Sequence, residues 1–300
     1  MRTKERTRRK NTRRKKFEIL LSITGISFLI CLPSLSGTET PQSTENKADV
    51  PVWEVGDTWT YEERCCEFTY YPDGGLYFRF FQNCTITYLV TAIEEDYYVV
   101  KMTSQNIHGS LAIARFHWTL PTSLTDSKVL HLRKIDLAEL YHTYDAKGLM
   151  FLYVGRFPIP IPAQFQVSEE EQCSPPMTLL PFPLIPQTKG TLPSINHRGY
   201  YRLSLYWGVF PLLNNPDYWY NTGPCTYACT LKSITVPLDT YTAYNVSVTL
   251  ASGGTHDCWR SYYATRVGNI VKQSIYLNWH GTELPYCIKD LTLLSTTYTP

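Results

Sequence analysis

The sequence predicts a mainly β fold: an antiparallel meander forming a curved or half-open barrel-like sheet, with an N-terminal signal or anchor helix and at most one short packed helix. Three observations predict it. From Thr242, Tyr244, Val246, Val248 and Leu250 fall on one face and Asn245, Ser247 and Thr249 on the other, the period-two signature of a half-buried strand. Past the turn at Gly268-Asn269 the rhythm resumes, with Val271, Ile275, Leu277 and Trp279 sharing a face opposite Lys272, Ser274 and Asn278. Upstream, runs of β-branched and aromatic residues alternate with short Gly, Pro and acidic turns.

The chain opens on MRTKERTRRKNTRRKK, ten Lys or Arg against one Glu, followed by a largely apolar run from Phe17 to Pro33. That is the layout of an export signal spanning residues 1–36, and the fused apolar run argues against a nuclear or nucleic-acid-binding arm. Ser34 and Ser36 before Gly37 suit a signal peptidase, while about 17 apolar residues sit at the lower limit for spanning a bilayer, so cleaved signal peptide and uncleaved signal anchor both stand. Thr12-Arg13-Arg14 and Cys31 are weaker hints of twin-arginine export and lipidation. Export makes the membrane the first partner and sets the localisation as extracytoplasmic, either membrane-anchored or secreted. From Gly37 onward the chain holds 18 Lys plus Arg against 24 Asp plus Glu, a formal charge of −6. A folded part of that sign has no reason to seek phosphate backbones, which excludes nucleic acid as a partner.

Residues 37–50 read as a polar spacer, and residues 51–300 as one extracytoplasmic β domain. Trp59 and Tyr61 share a face of the opening strand. Phe68–Tyr71 and Leu76–Phe81 form a hairpin around Pro72-Asp73-Gly74-Gly75, and Thr85–Ile93 and Tyr97–Thr103 form a second around Glu94-Glu95-Asp96. Leu111–Leu120 adds a strand. Leu132–Tyr144 spaces Ile135, Leu137, Ala138 and Tyr141 for a short helix, with a further hairpin as the alternative. Leu149–Val154 returns to strand. Between 157 and 224 lies a Pro-rich and aromatic insertion. Its prolines read as extended, edge-like chain and not a central strand. The loop-like segment Tyr200–Tyr220 then gathers Tyr206, Trp207, Phe210, Tyr218, Trp219 and Tyr220, which read as a cap on the core or as a ligand or interaction patch.

Eight cysteines follow the apolar segment: Cys65, Cys66, Cys84, Cys173, Cys225, Cys229, Cys258 and Cys287. In an exported chain they are disulfide candidates, the first four pairing among themselves and the last four likewise. Cys225, Cys229, Cys258 and Cys287 as a structural zinc site is the competing reading. Asn83 and Asn245 head acceptor sequons, Asn245 on the wet face of its strand, and are the glycosylation candidates.

No Gly-x-Ser-x-Gly elbow, His-Glu-x-x-His or phosphate-cradling loop occurs. His256-Asp257-Cys258 is a nucleophile cluster by composition only, and Glu169-Glu170-Glu171 reads as solvated loop and not an acid/base pair or calcium site. The expectation is therefore no catalytic, cofactor or metal residue.

Trp53-x2-Gly56-Asp57-x-Trp59-x-Tyr61, Val236-Pro237-x3-Tyr241-x-Ala243-Tyr244, and Tyr262-Tyr263 followed by Val267-Gly268-Asn269-Ile270-Val271-Lys272 resemble a pattern of exported proteins of unknown function. These are similar to the curved sheets of the lipoprotein-carrier type (LolA and LolB). The resemblance implies an antiparallel sheet curled around an apolar concavity and carries over neither ligand nor catalytic residue. The leading expectation is a non-enzymatic cell-envelope β protein binding an apolar ligand, a lipid or a neighbouring envelope component. The alternatives are a structural or interaction module of the cell surface, and a hydrolase with a dispersed site involving His256 or His280.

Overall fold

The computed structural model describes residues 47–70, 76–113, 116–120, 125–154, 157–207, 210–213, 217–222, 224–250, 258–278 and 285–300. Among these there is no helix, and sixteen strands form one antiparallel sheet. In chain order they are β1 (Thr58–Tyr70), β2 (Leu76–Ile93), β3 (Tyr97–Ile113), β4 (Phe116–Leu120), β5 (Thr125–Arg133), β6 (Glu139–Val154), β7 (Phe157–Met177) and β8 (Lys189–Leu192). Then come β9 (Ile195–Trp207), β10 (Phe210–Leu213), β11 (Asp217–Thr222), β12 (Cys225–Thr235), β13 (Thr240–Leu250), β14 (Cys258–Ala264), β15 (Asn269–Asn278) and β16 (Pro285–Thr296).

Neighbours follow chain order almost throughout, and the first strand lies against the last: Cys65 is opposite Lys289 and Glu67 opposite Cys287. The ladders run β10-β9-β7-β6-β4-β3-β2-β1-β16-β15-β14-β13-β12-β8. Read in line, the path finishes on β8, yet β8 continues into β9 after only Pro193 and Ser194. A three-residue step spans about 10 Å at most. Apart from one local shift between Pro211 and Leu213, this leg and its partner share a register: Leu192 opposite Cys225, Ile195 opposite Thr222, Tyr200 opposite Asp217 and Trp207 opposite Phe210. Segments 189–207 and 210–235 are therefore two legs of one long, interrupted hairpin.

The insertion expected at 157–224 is thus part of the sheet, and β7 is a central strand, paired with both β6 and β9 from Gln164 to Gln172. The prolines explain how. Pro158, Pro160 and Pro162 recur at period two, so their missing donors fall on one side, in a part of β7 paired with β6 alone. Pro175 and Pro176 follow the last β7–β9 pair, Ser174 with Asn196. The aromatic segment is strand as well, its backbone forming β9, β10 and β11.

The helix expected at Leu132–Tyr144 is instead the alternative hairpin. Asp136 accepts from Arg133 Nε and Nη2 at 3.0 and 2.6 Å and from the Ala138 N–H at 3.1 Å. Ile135 is 74 % exposed, so the apolar stripe a packed helix needs is absent. The spacer also ends sooner than expected: Ala48 is buried and bridges Leu184.

Side chains alternate between a buried and a polar face. On β1, Trp59, Tyr61, Glu63, Cys65 and Glu67 are buried; on β7, Val167, Glu169, Glu171 and Cys173 are. The other face exposes Arg64, Lys101, Lys147, Glu170, Arg198 and Arg260. One apolar cluster gathers Trp53, Trp59, Tyr61, Tyr98, Val236, Tyr241, Val267 and Leu293. A second gathers Met177, Leu184, Ile195, Cys225, Val246, Val248, Trp259 and Tyr263. Phe182, on the link between β7 and β8, touches both and meets Tyr263 edge-on at 5.2 Å.

Candidate functional site: a charged lane on the buried face

The three motifs singled out in the sequence converge at one end of the sheet. Trp53 Nε1 donates to Gly268 O at 2.9 Å, Trp59 Nε1 to Val267 O at 2.8 Å and Tyr61 Oη to Ile270 O at 2.8 Å. Gly268 takes a φ of +61°, and the Tyr298 ring lies so close that a Cβ there would strike it. Burial without an unmet donor makes this end a structural clamp.

The buried face changes character across β5, β6, β7 and β9. Lys128, Glu139, His142, Glu169, Glu171 and His197 are all at most 9 % exposed. Their strands dictate the grouping: His142 lies opposite Glu171 between β6 and β7, and Cys173 opposite His197 between β7 and β9. His142 Nδ1 and Glu139 Oε1 are 2.5 Å apart, and His142 Nε2, which makes no hydrogen bond, lies 4.0 Å from Glu169 Oε2. His197 Nδ1 and Glu171 Oε1 are 2.7 Å apart, with Cys173 Sγ 3.8 Å from that nitrogen and 4.0 Å from that oxygen. Gly199 lets the strands meet here, since a Cβ on it would run into the Glu170 carbonyl.

Burial pushes the Glu139 carboxyl up, but Lys128, the His142 hydrogen bond and His197 outweigh it and hold it down at about 2. For His142, burial and Lys128 pull down while the bond to Glu139 and the nearby Glu169 carboxylate pull up, and the net shift is upward. Burial, with Glu139 and Glu171 nearby, pushes the Cys173 thiol up. A thiol so held is a poor nucleophile. Moreover, Glu171 and Cys173 both meet the same nitrogen of His197, whereas a catalytic relay engages one ring nitrogen with the carboxylate and the other with the nucleophile.

A second polar group lies on the seam between β1 and β16. Cys65, Glu67 and Cys287 converge within 4.8 Å, and Lys289 pairs with Glu63. The hydrogen bond to Cys287, then burial, drives the Cys65 thiol far up; burial, then Cys65, raises the Glu67 carboxyl. Burial lifts Cys84 to about 12.

These positions correct several expectations. Cys65 sits with Cys287, across the division into first and last four cysteines, and the seven described cysteines (Cys65, Cys66, Cys84, Cys173, Cys225, Cys229 and Cys287) are thiols. Cys65 and Cys287 are diagonal in the β1–β16 register, where Cα atoms stand about 7–8 Å apart, beyond ordinary disulfide reach. Three strands, β15, β14 and β13, also separate Cys287 from β12, which carries Cys225 and Cys229, so the competing zinc quartet does not come together around these three cysteines. Vicinal Cys65 and Cys66 do face opposite ways, Cys65 buried and Cys66 half-buried. Asn245 is not on a wet surface: it is 6 % exposed, and its Nδ2 donates to Thr230 Oγ1 at 3.0 Å. Asn83 is half-buried. Glu169 and Glu171 are strand residues on the buried face, and only Glu170 is exposed.

His256, Asp257, Trp279, His280 and residues 1–46 lie outside the described residues, as do the side chains of Cys258, Tyr206, Trp207, Phe210, Tyr218, Trp219 and Tyr220. No family model, curated protein sequence or solved structure matches this chain.

Proposed function

We propose that this is an exported, non-enzymatic cell-envelope β protein whose sheet curls into a barrel-like body and binds an apolar molecule or lipid at the end carrying the β9–β11 aromatics. The observation that carries this reading is the register that the 189–207 and 210–235 legs share apart from one local shift between Pro211 and Leu213, which draws the two ends of the ladder path together. The signal-like residues 1–36 support export, and the polar outward face supports a body that stands in water beside the membrane. The opposite end, around Trp53, Trp59 and Tyr61, is filled by its own side chains, which leaves the aromatic end for the ligand.

Native mass spectrometry and lipid extraction of the full chain purified from the envelope fraction should reveal a copurifying apolar species, lost when Trp207 and Trp219 are both changed to Ser. A ligand-free protein, or a ligand indifferent to both substitutions, overturns the reading. The filled core favours one other reading, a structural module that joins its neighbours through the same segment. There the double substitution abolishes assembly and no ligand copurifies.

A further inference from the structure

We propose that Glu171, Cys173 and His197 form a binding site for a single divalent transition-metal ion, with zinc the metal its donors suit best. Three donors of different kinds converge from adjacent strands: Glu171 Oε1, Cys173 Sγ and His197 Nδ1, separated by 2.7, 3.8 and 4.0 Å. Donors about 2.0–2.3 Å from a tetrahedral zinc stand about 3.3–3.7 Å apart, so small side-chain shifts seat the ion. The strands supply the geometry. Glu171 and Cys173 are two apart on β7 and share its buried face, and His197 lies directly opposite Cys173 on β9. A sulfur, an imidazole and a carboxylate together suit zinc better than magnesium or calcium, which take oxygen ligands.

The charge of the lane points the same way. Facing one another from four strands are three carboxylates (Glu139, Glu169 and Glu171), two imidazoles (His142 and His197), the Cys173 thiol and one ammonium, Lys128. With His142 protonated against Glu139 and His197 neutral, as a ligand must be, these groups sum to a charge of −1, and loss of the Cys173 proton on binding makes −2, which a divalent ion offsets in a place where unbalanced charge is costly. Cys173 gives up its proton to solvent on binding. His142, held through Nδ1 by Glu139, stands on the rung beside Glu171 with its Nε2 making no hydrogen bond. The seam group Cys65, Glu67 and Cys287 differs in having no imidazole among its donors, and Lys289 lies directly opposite Cys65.

The test uses the reduced, full-length chain, stripped with chelator and titrated with Zn²⁺ and, separately, Co²⁺. One equivalent should bind. X-ray absorption of the zinc form should show one sulfur among nitrogen and oxygen ligands, and the cobalt form a charge-transfer band with the intensity of one thiolate. Cys173→Ser and His197→Gln should each weaken Zn²⁺ binding by more than the roughly 10–100-fold that loss of an outer-shell partner costs, whereas Cys287→Ser leaves it unchanged. Absence of stoichiometric binding, two sulfurs in the absorption spectrum, or dependence on Cys287 overturns the proposal. Should either lane variant fail to fold by circular dichroism, the sulfur count of the unmodified protein decides.

Discussion

Trp59 and His142 are both wholly buried on the same sheet, yet their surroundings oppose each other. Around Trp59, each ring hides apolar area and hands its one polar atom to a nearby carbonyl. Around His142, burial brings together groups that would each be better solvated in water. The first region gains roughly 25 cal/mol for every Å² of apolar surface removed from water. The second must recover the desolvation of its charges from mutual attraction, which at best roughly breaks even. The apolar end therefore secures the fold, whereas the lane adds little net stability.

The sharpest way to break this comparison is to truncate a member of each region. Trp59→Ala should cost about 3–5 kcal/mol, from the cavity left behind and the lost bond to Val267. Denaturant unfolding measures it, and a loss below about 1 kcal/mol contradicts a clamp at this end. In the lane, His142→Leu alone should cost about 3 kcal/mol, because Glu139 keeps its charge without its partner at 2.5 Å. Adding Glu139→Leu should restore most of that loss, as apolar pairs of similar volume commonly replace buried ion pairs without penalty. Additive losses in the double variant would show that the lane is held by packing and not by charge.

The sequence made the two regions unequally legible. Period-two alternation gave away β13 and β15, and the hairpin of β2 with β3 turns at Glu94-Glu95-Asp96 as its acidic tip suggests. The pairing of Trp59 and Tyr61 on one face was visible for the same reason. The lane was not, because its residues look solvated one at a time. Glu169-Glu170-Glu171 has the composition of a loop, but the same alternation extended from Val167 to Cys173 would have put Glu169 and Glu171 inward with both apolar neighbours. His142 was hidden in a segment whose apolar spacing mimics a helix. The proline stretch misled because only the partners of β7, unknown from sequence, reveal that Pro158, Pro160 and Pro162 lie beyond its described pairing with β9, which begins at Gln164. Pairing of first and last strands, which brings Cys65 to Cys287, is a long-range contact that no local pattern encodes.

The seam offers a finer test of the same contrast, since it lies beside the apolar end and carries one carboxyl too many. Glu67 is 7 % exposed, with Cys65 Sγ 3.8 Å from its Oε1, and burial raises its pKa. A carboxyl whose folded pKa lies above its unfolded value, about 4.3, contributes stability that is fully present below that value and is lost as pH rises through the folded pKa. Glu67→Gln keeps the shape and removes the titration. The variant should therefore match the unmodified protein near pH 4 and exceed it at pH 8. Urea midpoints at pH 4, 6 and 8 read this directly. A gain that is constant with pH points to packing alone, and a gain that shrinks as pH rises shows that Lys289 holds the Glu67 carboxylate in its charged form.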